Sequence, residues 1–166
     1  MTITKLSTAL QILQNGVEKS VASRNFDSLL VSCVEAFEQF GVVVDQLQIP
    51  MYKGFGFRHP RFASIVLSWC KQTGVSVRFG SHEEYTETMT DLLTKTPYYK
   101  LIFEDKEFYE VNLQQDEMEF SVLQDLRDKG FIGYSAFVFS LPNGARQTID
   151  LCTKKEGGFP PQLRDI

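Results

Sequence analysis

The sequence predicts an α/β (α+β) domain with a mainly antiparallel central sheet and helices packed on it. Three observations lead there. Residues 26–40 carry apolar side chains at helical spacing, and residues 41–79 hold three extended, β-branched stretches. Residues 131–153 read as two strands joined by the turn Pro142, Asn143, Gly144. At 166 residues and 43% hydrophobic, with 14 Phe, the chain can bury a ring-rich core without a disulfide or metal.

Taken in order, Ile3, Leu6, Leu10, Leu13 and Val17 line one seam of an N-terminal helix within residues 1–20. That seam suits either packing on the chain's own core or contact with a second subunit, and spacing does not separate the two. A core of residues 21–159 begins with Phe26, Leu29, Leu30, Cys33, Val34, Phe37 and Phe40 on one helical face. Asn25 or Asp27 can cap that helix and Gly41 can end it. The run 41–51 then reads as a strand closed by Pro50.

Residues 52–61, with two Gly, a Pro and three basic side chains, read as a long connection. Residues 63–70 and 75–79 form a hairpin about the turn 71–74. Tyr85, Met89, Leu92 and Leu93 suit a helix that cannot pass Pro97, and Thr96 with Pro97 starts a short one over 97–103. Residues 108–113 suit a strand. Asp116 with Glu119 resembles a capping box for a helix carrying Phe120, Leu123 and Leu126 and stopped by Gly130. Residues 131–139 are apolar on both alternating faces, as a strand covered on both sides requires. Residues 146–153 return as its partner, with Ile149 and Leu151 on one face. No linker interrupts the chain, so residues 1–166 read as one domain.

Several function classes drop out. Seventeen basic against 21 acidic residues leave a net charge of −4, which does not attract a polyphosphate backbone, so no nucleic-acid partner is expected. Residues 53–57 (KGFGF) reproduce half of an RNA-recognition signature, but Arg58 and Pro60 break it. The only histidines, His59 and His82, lie in no metal-ligand pattern. Cys33, Cys70 and Cys152 are widely spaced and read as free thiols of a reducing compartment. The longest mostly apolar run, 131–141, is about half of the ~20 residues that span a bilayer. A cytoplasmic protein without membrane contact is expected. No nucleophile elbow, phosphate loop or thiol–histidine pair is present, so neither a catalytic residue nor a cofactor is assigned.

The second half resembles a known family. Phe120, Leu123, Leu126, Arg127 and Gly130 lead to a strand with Tyr134. Phe139, Ser140, Asn143, Gly144, Asp150 and Thr153 follow across a hairpin, and Gly157, Gly158 and Phe159 close the pattern. His59, Pro60 and Trp69 anchor it upstream. This order is similar to the N-terminal GAF-like regulatory domain of bacterial class III adenylate and guanylate cyclases, over about residues 40–159. It departs at Pro160 and Pro161, where the family often has Ser and Asp opening a helix toward the cyclase domain.

The resemblance implies a GAF-like sensory module, bacterial, working as a homodimer, with a cyclase output domain in cis after a truncated exit over 160–166. It implies control of cyclic-nucleotide synthesis by a small ligand or by dimerisation, with no catalysis in this chain. GAF-like geometry would place a pocket over one face of the sheet, and Arg58, His59, Trp69, Tyr98 and Tyr134 are its candidate ligand-binding residues. Taken singly, each also fits a core or loop-anchoring role. The alternative within that fold is a methionine-sulfoxide reductase, which needs a thiolate and a resolving thiol brought together.

Overall fold

The computed structural model describes residues 25–52, 63–82, 94–140 and 144–163. The seam from Ile3 to Val17, the segment KGFGF, the candidates Arg58 and His59, and the helix expected around Tyr85 to Leu93 lie outside the described residues. So do Pro142 and Asn143 of the turn.

Among the described residues, six strands form one antiparallel sheet: β1 Gln46–Tyr52, β2 Ser64–Cys70, β3 Gly74–Gly80, β4 Phe108–Asn112, β5 Gly133–Ser140 and β6 Arg146–Thr153. Their spatial order is β3-β2-β1-β6-β5-β4. Three α-helices accompany them among the described residues: α1 Asp27–Glu38, α2 Pro97–Ile102 and α3 Ser121–Asp128. The structure is thus α+β, with a mainly antiparallel sheet, as the sequence predicts.

Register decides which side chains share a face. Leu47 pairs with Leu151 and Trp69, and Phe137 pairs with Ile149. These residues and Ile49, Met51, Ile65 and Leu67 pack with Leu30, Cys33, Val34 and Phe37 of α1 into the larger core. Each fully buried Leu, Ile or Phe there contributes roughly 1.5–3 kcal/mol. α1 covers this face because its apolar positions recur every three or four residues, and Gly41, at φ +77°, turns the chain toward β1.

The opposite face carries the alternate residues. Tyr134, Ala136, Val111 and Cys152 pack there with Leu101 of α2 and Leu123 of α3. Both faces of β5 and β6 are therefore buried, as the two-sided apolar pattern of 131–139 requires. α2 and α3 pack over the β4–β5–β6 half, and Gln46, Gln48, Ser68, Ser76 and Arg78 line a depression of about 410 Å³ over the other half.

Four local expectations change. Strand β1 starts at Gln46, after the β-branched run 42–44, because Asp45 bends the chain and accepts a hydrogen bond from the Lys154 N–H at 2.6 Å. Pro50 lies within β1 and does not close it. β1 pairs with β6 only through Gln48, so beyond that point this edge has no ladder partner among the described residues and a residue without an N–H fits. Helix α3 starts at Ser121, not at Asp116. Asp116 accepts the Asn112 N–H at 2.7 Å and Glu119 pairs with Lys100, so neither side chain is left for a capping box. The residue before α1 is Phe26 and no side chain caps that helix; Asn25 accepts from the Ser28 hydroxyl instead.

Of the closing residues, Gly158 and Phe159 pack on the start of β5. A Cβ built at Gly133 would lie 3.0 Å from Thr153 Cγ2, 3.1 Å from Phe159 Cδ2 and 3.3 Å from Gly158 Cα. The glycines of this stretch therefore permit a backbone approach that side chains would block.

Candidate functional site

On the second face, cross-strand pairing aligns two rows. Gln48 of β1, Asp150 of β6 and Ala136 of β5 form one; Gln46, Cys152 and Tyr134 form the next. Asp150 sits where the apolar half of this face, under α2 and α3, gives way to the polar half over β1–β3. The N-terminus of α2 brings Thr96, Pro97 and Tyr98 over it, and α3 adds Val122 and Leu126. Together they enclose a cavity of about 70 Å³, several times the roughly 10–15 Å³ that one water needs. The cavity shares Gln46 and Gln48 with the larger depression.

Tyr98 reaches the floor because Pro97, at the first helical position, fixes the entry of α2. Its hydroxyl donates a short hydrogen bond to Asp150 Oδ2. Asp150 is only 4% exposed, and its Oδ1 is buried without a hydrogen-bond partner. Burial raises its carboxyl to about 7, although hydrogen bonds from Tyr98 and Tyr134 pull the other way. Burial, followed by the Asp150 charge, pushes the Tyr98 and Tyr134 hydroxyls well above their usual range. Cys152 is raised for the same two reasons, with a further contribution from Asp45.

The chemistry follows from these states. The tyrosines and Cys152 stay neutral near pH 7, so no thiolate or phenolate nucleophile stands beside the carboxyl. Of these four groups Asp150 alone changes charge there, and an acid poised near neutrality in a cavity marks a candidate functional site. Among the described residues, no group of three or more His, Cys, Asp and Glu side chains could hold a metal ion. No helix among them is long and apolar enough to cross a membrane.

Of the five candidate residues, the structure brings Tyr98 and Tyr134 together on Asp150. Trp69 belongs to the opposite side, where it packs against the α1 core beside Leu47 and Val75. Asp150 is not among the five candidates, yet the sequence carries a signal for it. Ile149 and Leu151 face one core, the neighbouring strand is apolar on both faces, and the acid between them must therefore point into a second, covered layer. Gln46 and Gln48 carry no comparable signal, since alternating amides in a strand usually mark a solvated face.

Compared with known proteins, the chain matches no family model and no curated protein sequence.

Proposed function

We propose that this chain is a non-catalytic, GAF-like sensory domain of the kind that regulates class III nucleotide cyclases, and that it binds a small molecule beside Asp150. The observation that carries the reading is the cavity floored by a buried carboxyl with one oxygen unpaired, held between two tyrosines. An unsatisfied buried polar atom costs about 1–3 kcal/mol, a cost that a bound partner removes. The six-stranded antiparallel sheet and the close packing of Gly158 and Phe159 on Gly133 agree with the motif order that suggests the family. In this reading residues 1–20 join two copies, and ligand binding at the sheet alters their arrangement and hence the output of a catalytic dimer.

The thiol-enzyme reading draws less support. Cys33 lies in the core on the α1 side, and Cys70 and Cys152 flank Gln46 on separate strands. Two strand spacings are about 9–10 Å, beyond the ~7 Å Cα separation a disulfide tolerates. The test of the sensory reading is to follow the reading frame past Ile166 and assay the whole gene product for cAMP and cGMP synthesis, with and without residues 1–163. A cyclase whose rate changes on that deletion is expected. A product with no cyclase activity contradicts the reading.

A further inference from the structure

The cavity holds one buried acceptor with no donor on it. Asp150 Oδ1 accepts from nothing, the Tyr98 hydroxyl spends its proton on Oδ2, and Gln46 and Gln48 line the same wall. The remaining lining from Pro97, Val122 and Leu126 is apolar, and the rings of Tyr98 and Tyr134 flank the acid. An unpaired carboxylate oxygen beside π-faces, in a lining with no Lys or Arg among the described residues, suits a donor-rich, positively charged group on a short apolar body. The geometry points to a small primary amine as the ligand of this site, its ammonium group bound to Asp150 Oδ1 and its alkyl portion against Val122 and Leu126. This assignment rests on the sensory reading above and names the ligand class for that same site.

A neutral donor such as an alcohol would satisfy Oδ1 with one hydrogen bond. An ammonium brings three donors and a charge that the enclosed carboxylate matches. Size agrees as well, because the cavity admits a group of a few heavy atoms and shares Gln46 and Gln48 with the depression over β1–β3.

Charge also sets the pH dependence. The titratable groups facing Asp150 are Tyr98 from α2, Tyr134 from β5 and Cys152 from its own strand, with Tyr52 of β1 acting on Tyr98. α3 faces it with Val122 and Leu126 alone. The neighbours with raised values, Tyr98, Tyr134 and Cys152, keep their protons below pH 8, so Asp150 governs binding. Only its ionised form holds an ammonium. Apparent affinity should therefore rise about tenfold per pH unit up to about 7 and level off above it.

The experiment measures binding of ethyl-, propyl-, butyl- and hexylammonium chloride by calorimetry and thermal shift at pH 5 to 8. The matched alcohols and KCl serve as controls. Wild type should bind at least one ammonium at least tenfold more tightly than its alcohol. Asp150→Asn should lose at least tenfold in affinity. Val122→Trp, changed at a position 38% exposed and so expected to leave folding intact, should block the mouth and abolish binding.

No ammonium binding in wild type, equal binding of the alcohols, or affinity unchanged in both variants overturns the assignment. If the amine fails while deleting residues 1–163 still alters cyclase output, only the ligand class is wrong. If that output is also absent, the sensory reading falls with it.

Discussion

Replacing Asp150 by Asn separates the carboxyl's charge from its shape. The carboxyl has an ordinary value of 3.8 and is raised by burial to about 7 in the folded chain. Below pH 3.8 both folded and unfolded chains hold the proton. Between 3.8 and about 7 the unfolded chain gives it up while the folded chain retains it, so this group's contribution to stability falls as pH rises through that window. At 1.36 kcal/mol per pH unit, the interval from 3.8 to about 7 corresponds to about 4 kcal/mol. Asn reproduces the protonated carboxyl in outline, with its oxygen able to accept from Tyr98 and its NH₂ placed at the open Oδ1 position. Urea unfolding of both proteins at pH 4.5, 6, 7 and 8 isolates Asp150, because every other titrating group is common to the pair. Near pH 4 the two should be close in stability, and at pH 8 the variant should be the more stable, by up to about 4 kcal/mol. A variant destabilised equally at every pH would refute the reasoning, since it would mean that the carboxylate is paired and not isolated.

Two further expectations follow from packing and thiol environment. Gly133→Ala inserts a methyl against Thr153, Phe159 and the Gly158 backbone. It should cost about 1–3 kcal/mol, a Tm loss on the order of 3–10 °C, and an unchanged Tm would show that the closing glycines are not in contact with β5. With a disulfide reagent at pH 8, Cys70 should react first. Burial is the largest single influence on its thiol and raises it, but hydrogen bonds from Gln72 and Thr73 and the Lys154 charge together outweigh burial and hold it below its usual value. Cys33, pushed by burial to about 12, and Cys152 should label only on unfolding, and free methionine sulfoxide should not turn over. Labelling of Cys152 as fast as Cys70, or turnover lost on a single Cys→Ser change, would reverse that view.

The sheet was largely legible because its signals are local. Turn residues at Gly74 and Gly144 fixed two hairpins, and the two-sided apolarity of 131–139 marked a strand with layers above and below. Boundaries failed where a tertiary contact overrode a local preference. Glu119 pairs with Lys100 instead of capping α3, and Pro50 is tolerated inside β1 because the β1–β6 pairing stops at Gln48 and Asp150, before Pro50 is reached. The site was half legible. Tyr98 and Tyr134 are ring residues near predicted elements, but their convergence on Asp150 spans 52 residues in sequence from Tyr98 and depends on register that spacing alone does not give.

The central claim is that Asp150 is a buried, incompletely paired carboxyl that recognises a ligand. Its most direct test is the ¹³C resonance of the Asp150 carboxyl carbon, titrated from pH 3 to 9 with and without propylammonium. The expected midpoint is about 7 alone, moving lower when the ammonium favours the charged form. A midpoint near 4 that ignores the amine would contradict the account.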